Sequence, residues 1–392
     1  MIVNPEYEEL GDKFYTPPII TSIMQQAETG EIPVLGAGYR GPFSEKGFDS
    51  MWTDMSEIVR PTRDGIHGRE YISTVVDLGR KPLDVKDIKF NQHGFPIADI
   101  PPTVEIKLPI LFDSLPFSLR EGNNIQLSIA KAATELGTFT IIDQDKYSPV
   151  LKPYFNHIIE CFYPENMSWR EIVEFARTHN IVELVYSPET TSLIGSLKKI
   201  NPDLIIFVRV SVFNQPDKIT EELYYSGVDV IHLHIEHYQK VTDFKTDNSE
   251  NLTFPEIIHQ VHSHLVKLRI RDSVSVIASG EIRCAEHVPK AIILGADAVA
   301  IDIPLLIALE CTVCKNCWLS KECPRELESI DSEWGTKRMV NLMASWHNQL
   351  LEILGAMGMR EVARLRGETG RAMFKSDLDR EIFGKIFPNL NQ

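Results

Sequence analysis

Four of the six cysteines fall within thirteen residues, at Cys311, Cys314, Cys317 and Cys323, the last followed by Pro324. Thiolates clustered this closely in a reducing compartment read as metal ligands rather than disulfides. They are soft donors that suit zinc or an iron–sulfur cluster. Structural zinc sites usually draw on two separated pairs. Here three cysteines stand at spacings of three and the fourth comes six residues further on, close to the ferredoxin run C-x2-C-x2-C-x3-C-P. A compact loop of this kind can surround a cuboidal cluster, whose irons need thiolates from several directions. The run therefore favours a 3Fe-4S or 4Fe-4S centre, with zinc as the alternative. Of the two isolated cysteines, Cys161 ends an apolar stretch and reads as a buried structural thiol.

A second cluster of candidates lies just upstream, in IASGEIRCAEHVPKAIILGADAVAID (277–302). A strand ending at Ser279-Gly280 and a helix starting near Ala285 would present backbone amides to a phosphate. Glycine lets an anion approach the main chain, and Arg283 can add a charge-assisted hydrogen bond. The same residues would also make two ordinary strand–helix turns, with Gly295 a helix C-cap. His232, His234 and His237 cluster at the end of another strand. They can ligate a metal or move protons, or simply line the mouth as hydrogen-bonded side chains. Asp143, Asp145 and Glu281 are placed to crowd the same mouth, where neighbouring carboxylates raise one another's pKa. His259, His262 and His264 read as a solvated helix face.

These residues need a scaffold. From 106 to 310, short β-rich runs alternate with amphipathic helical stretches. The strand candidates are 107–112, 138–143, 155–161, 182–187, 204–210, 228–235, 274–279 and 298–302. Several are apolar on both faces, as strands of a covered parallel sheet must be. Helices are expected over 124–137, 169–180, 218–227, 254–270 and 285–295, with Gly137, Gly227 and Gly295 at their ends. Eight such units in about 200 residues indicate an α/β fold, a (β/α)8 TIM barrel in preference to a doubly wound sheet. The chain then divides into four segments: an irregular N-terminal arm (1–103), the barrel (104–310), a cysteine loop (311–324) and a helical C-terminal extension (325–392). In the arm, 21–30 reads as a short helix and 71–79 as a strand; in the extension, 338–358 reads as a packing helix.

Composition sets outer bounds. The chain has 392 residues, 43% hydrophobic and 24% charged, with a net charge of −15. That balance argues against nucleic acid or an anionic membrane as the main partner. No run of 18 or more apolar residues and no basic-then-apolar leader is visible, so the cytoplasm is the expected compartment. The Gly-x-Gly-x-x-Gly spacing at 36–41 lies in the irregular arm and not between a strand and a helix, so electrons would arrive from a redox partner subunit or a ferredoxin.

At this point the residues resemble a known family. LGADAVAID followed by LIALEC, together with the cysteine run, is similar to the last two barrel strands of the glutamate synthase family, in particular its archaeal-type, amidotransferase-free form. LLEILGAMGMREVARLRG (350–367), RPTRDGIHGREYISTVVDLG (60–79) and PILFDSLPFS (109–118) resemble its tail, its arm and its first strand. The resemblance implies an FMN-binding barrel and an iron–sulfur cluster on Cys311, Cys317 and Cys323, acting as an oxidoreductase on CH–NH2 donors within an oligomer or complex. It implies that the amides of Gly280, Glu281 and Ile282, with help near Ala296, hold the flavin phosphate. It also implies that Arg209 stands where the family has a lysine beside the flavin, a change that keeps the charge and alters the geometry. Arg209 and His234 are accordingly the catalytic candidates. The glycine-rich turns of the family are replaced, at Asp143-Gln144-Asp145, at Leu115-Pro116-Phe117-Ser118 and at His234 through Tyr238. A degenerate barrel that keeps its cluster as an electron relay or scaffold subunit is the other implied reading.

Overall fold

The computed structural model describes residues 10–34, 47–53, 71–82, 90–95, 101–115, 123–166, 168–212, 215–235, 252–317 and 321–374. The arm contributes helix α1 (Pro17–Thr29) and strands β1 (Met51–Thr53), β2 (Val76–Gly79) and β3 (Thr103–Ile106). Helix α1 stops at Gly30, whose φ of 74° permits the left-handed turn in which its N–H donates to Gln26 O.

Eight parallel strands then close a barrel: β4 (Ile110–Phe112), β5 (Thr140–Asp143), β6 (Ile158–Phe162), β7 (Ile181–Val185), β8 (Ile205–Ser211), β9 (Val230–His234), β10 (Ser275–Ser279) and β11 (Ala298–Ile301), with β11 returning to pair with β4. Each of the eight expected strands is present. Their side chains are buried almost throughout, because helices cover the outer surface while the inner face fills the barrel.

The covering helices are α2 (Asn123–Leu136), α3 (Trp169–Thr178), α4 (Thr190–Ile200), α5 (Pro216–Ser226), α6 (Phe254–Lys267), α7 (His287–Ile293) and α8 (Ile303–Ala308). Helix α6 begins with a capping box, Thr253 N–H donating to Glu256 Oε2 at 2.6 Å. Three features depart from expectation. Helix α4 was not foreseen, since its TTSLIGSLKKI sequence mixes Thr, Ser and Gly195 into the apolar repeat. Between β5 and β6, Pro149 and Pro153 replace an α-helix with a 3-10 stretch over Pro149–His157. His262, on the expected solvated face, instead accepts from Arg271 Nε at 3.2 Å and packs against Gly295.

The ends of the chain fold back onto this frame. The β2–β3 ribbon is tied to the start of β10 by Ser275 Oγ, which accepts from Gly79 N–H and donates to Gly79 O, both at 3.1 Å. Helix α9 (Ser332–Ala356) buries Met339, Leu342, Trp346, Leu350 and Ile353 and packs against α1 and α2. The final strand, β12 (Ala372–Phe374), pairs antiparallel with β1 of the arm. Among the described residues no helix is long and apolar enough to cross a membrane.

Candidate functional site: a four-cysteine pocket beside a charged barrel mouth

The cysteine loop leaves the end of α8, where Cys311 N–H donates to Leu306 O at 3.0 Å. Cys311, Cys314, Cys317 and Cys323 are all free thiols and line one cavity with Ile303, Leu306, Val313, Lys315 and Arg325. Val313 and Lys315 hold φ values of 54° and 65° on either side of Cys314. A β-branched residue there is a true outlier, of the kind that persists where surrounding structure over-determines it. The loop is pinned by Gly11 N–H donating to Thr312 O at 3.0 Å and by Lys315 Nζ on Asp12 Oδ2 at 3.1 Å. Val313 N–H points at Cys311 Sγ, 3.4 Å away. Burial pushes the Cys311 thiol up to about 12 and that of Cys317 up to about 11. Thiolates at these positions therefore need a metal's positive charge to form.

The four donors fit a thiolate-bound centre in three respects. They line one cavity, an amide is aimed at one sulfur, and Arg325 lines the same cavity with Lys315, which is paired with Asp12.

The second site lies at the C-terminal end of the barrel, where such folds place their chemistry. The β8–β9 register sets Arg209 beside His232, and the β9–β10 register sets His234 beside Ser279. Asp113 follows β4, and Glu183 lies on β7 in the middle of an apolar run. Arg209 donates to Asp113 Oδ1, and to Glu183 Oε2 from Nε at 3.3 Å and Nη2 at 3.1 Å. His232 Nδ1 is 2.5 Å from Glu183 Oε1, and its Nε2 is 2.7 Å from Ser279 Oγ. His234 Nδ1 also stands 2.7 Å from Ser279 Oγ.

Burial alone would raise both carboxyls. Arg209, followed by the histidines, outweighs it and holds Asp113 well below the usual carboxylate range and Glu183 below it too. Burial lowers His234, which favours the neutral ring. Burial, then the Asp113 charge, pushes Asp302 up to about 7. Ser279, His232 and Glu183 stand in the hydrogen-bond order of a nucleophile–base–orienter triad. Ser279 and His232 are both fully buried, however, which an attacking hydroxyl cannot be.

The anticipated phosphate cradle is arranged differently. Gly280 has a φ of 106°, and a Cβ there would lie 2.0 Å from Ile235 O, so close strand packing already accounts for the glycine. Ile282 is buried, and the Glu281 carboxyl is raised by burial beside Gly47 of the arm. Arg283 is ion-paired with Asp49, donates to Phe14 O and stacks on the Phe14 ring at 4.5 Å. His287 Nε2 also reaches Asp49, at 3.1 Å. The arm's carboxylate thus takes the arginine that a phosphate would use.

After β11, Asp302 caps α8 with its own carboxylate, accepting from Ile303 N–H at 2.6 Å. Ala296 does not join this group. It sits on the turn between α7 and β11, at the opposite end of the barrel, and its N–H donates to Ala291 O at 3.0 Å. Asp143 pairs with Lys146 at 2.6 Å. His237, Pro116, Phe117 and Ser118 lie outside the described residues. Sequence reasoning missed Asp113, Glu183, Ser279, Asp302 and Asp49; only Glu183 left a signal, a carboxylate inside an otherwise apolar strand.

Comparison with known proteins agrees with this architecture. The family model for the conserved region in glutamate synthase matches residues 172–360. The archaeal glutamate synthase [NADPH] of Archaeoglobus fulgidus is 26% identical over 94% of this chain and 82% of its own length. That of Methanocaldococcus jannaschii is 26% identical over 89% of this chain and 79% of its own length. Among solved structures, a mandelate oxidase crystallised with 2-hydroxy-phenylacetamide superposes with a TM-score of 0.50 at 13% identity, covering 88% of this chain and 96% of its own. That likeness concerns the fold. The resemblance carried by the cysteine run and the last two strands is thereby borne out: the chain is similar to archaeal glutamate synthases over about nine-tenths of its length.

Proposed function

We propose that the chain is a glutamate-synthase-like oxidoreductase component whose electron port is an iron–sulfur cluster held by Cys311, Cys314, Cys317 and Cys323. The observation that carries this reading is that the four cysteines line one cavity, with Val313 N–H directed at Cys311 Sγ. When bound, the cluster carries single electrons. The chain's own residues prepare that role. Ile303 and Leu306 give the pocket an apolar wall, and Lys315 and Arg325 add positive charge beside the sulfurs. The pocket also borders the barrel mouth, since Ile303 lines one while the adjacent Asp302 acts electrostatically on Asp113 in the other. A redox partner subunit or ferredoxin would meet the chain at Cys314, the exposed ligand.

Kinship with glutamate synthases makes FMN the expected barrel cofactor and a small amino or imino acid the expected substrate. At the phosphate end of such a site two side chains oppose an anion: Arg283 is held by Asp49, and Asp302 caps α8 with its own carboxyl group. This observation favours a second reading, in which the barrel keeps its cluster as a relay within a larger redox complex.

Anaerobic purification of the full chain with iron, sulfide and flavin quantitation tests both readings. About three or four irons with matching sulfide per chain are expected, and Cys317→Ser should strip them. Stoichiometric FMN would favour the flavoenzyme, its absence the relay. A preparation without iron, or one holding only zinc, sinks the proposal.

A further inference from the structure

We propose that Asp113, His232 and His234 form a binding site for one divalent first-row transition metal in the barrel mouth, separate from the cysteine pocket. One ligand atom from each side chain lies within 4.8 Å of the others. Asp113 Oδ2 is buried without a hydrogen-bond partner, 3.9 Å from His232 Nε2 and 3.6 Å from His234 Nδ1. A buried carboxylate oxygen left in this condition is costly, and here it faces two imidazole nitrogens. Those nitrogens in turn converge on one hydroxyl, Ser279 Oγ, 2.7 Å from each. That hydroxyl can donate to His232 Nε2 and accept from His234 Nδ1–H, so Asp113 Oδ2 alone of the group stays unpaired. An ion between the three side chains would give that oxygen its partner and take both imidazoles as further ligands.

The surroundings fit that role. Glu183 Oε1, 2.5 Å from His232 Nδ1, accepts the hydrogen there and leaves the Nε2 lone pair pointing inward. This is the carboxylate–histidine–metal arrangement that fixes a ligand's tautomer. Two histidines and one carboxylate make the donor set of a facial-triad centre. Charge agrees as well. Asp113 and Glu183 face a single buried cation, Arg209, so negative charge is left over for a divalent ion. Arg209 occupies Asp113 Oδ1, which leaves Oδ2 as the coordinating oxygen. Entry is from the mouth, where the His234 side chain keeps 17% of its surface exposed while His232 is closed off.

Titration of the full, cluster-loaded chain with Mn2+, followed by loss of the free-ion EPR signal, tests the site; carboxylate sites hold Mn2+, whereas soft thiolates select other metals. One bound Mn2+ per chain is expected, and pulsed EPR of that ion should show 14N coupling from imidazole. His234→Ala and the near-isosteric Asp113→Asn should each weaken binding at least tenfold. Absence of binding, a bound ion without nitrogen coupling, or folded variants that bind as tightly as the parent would each overturn the proposal. The pulsed measurement uses the unaltered chain, so the test survives if both variants fail to fold.

Discussion

Arg209 carries a guanidinium into the barrel interior, away from bulk water, and among the described residues two carboxylates, Asp113 and Glu183, compensate it. Desolvating charges in this way is expensive, and the pairing repays the cost only while every partner is present. Removing the cation strands Asp113 and Glu183 as unneutralised buried acids. We expect Arg209→Gln to destabilise the fold by about 3–5 kcal/mol, read as a drop in the urea midpoint. If the residue served only to contact a flavin, the same substitution would leave the unfolding midpoint in place. The prediction therefore separates a structural cation from a cofactor contact, the role its position in the sequence suggested.

At the scale of elements, the strands were legible and the site was not, and the difference is physical. Runs such as Ile205–Ser211 are apolar on both faces because helices cover one side and the filled barrel the other. That pattern is local and can be read from one segment. Glu183, His232 and Ser279 come from three strands and Asp113 directly follows a fourth, and barrel closure brings them together at distances no spacing encodes. The Ala296 expectation failed for a related reason, since a helix-to-strand turn lies on the face opposite the strand-to-helix turns. Arg283 was placed in the correct unit, but its partner, Asp49, comes from the arm.

Gly280 tests which reading of that unit holds. Its left-handed φ and the 2.0 Å approach of Ile235 O leave no room for a methyl group. Gly280→Ala should destabilise by at least about 1–2 kcal/mol from the backbone conformation alone, with displacement at the end of β9 adding to it. A variant as stable as the parent would mean that the glycine serves an anion's approach instead of strand packing.

For the whole molecule, the two chain ends act as one clasp over the last βα units. Strand β1 pairs with β12 from Met51–Phe374 to Thr53–Ala372, and Ser73 N–H donates to Arg360 O at 2.8 Å while its carbonyl accepts from Val362 N–H at 2.9 Å. Asp49 lies two residues before β1, so the pairing that holds β1 also holds the carboxylate that engages Arg283 and His287. Arg366 extends the clasp by donating to Asp297 Oδ1 at 2.7 Å, an acid already bound by Arg271. A chain ending at Arg371 would keep Arg366 and lose only β12 and the tail after it. The lost ladder is short, and net hydrogen-bond contributions near 1 kcal/mol each place the effect at roughly 1–3 kcal/mol. We expect a lower melting temperature, together with faster proteolytic cleavage near 47–53, because β1 has no other strand partner among the described residues. Equal melting and equal protection of that segment would show that Asp49 is held by its contacts with Arg283 and His287 alone, and that the termini do not work as a unit.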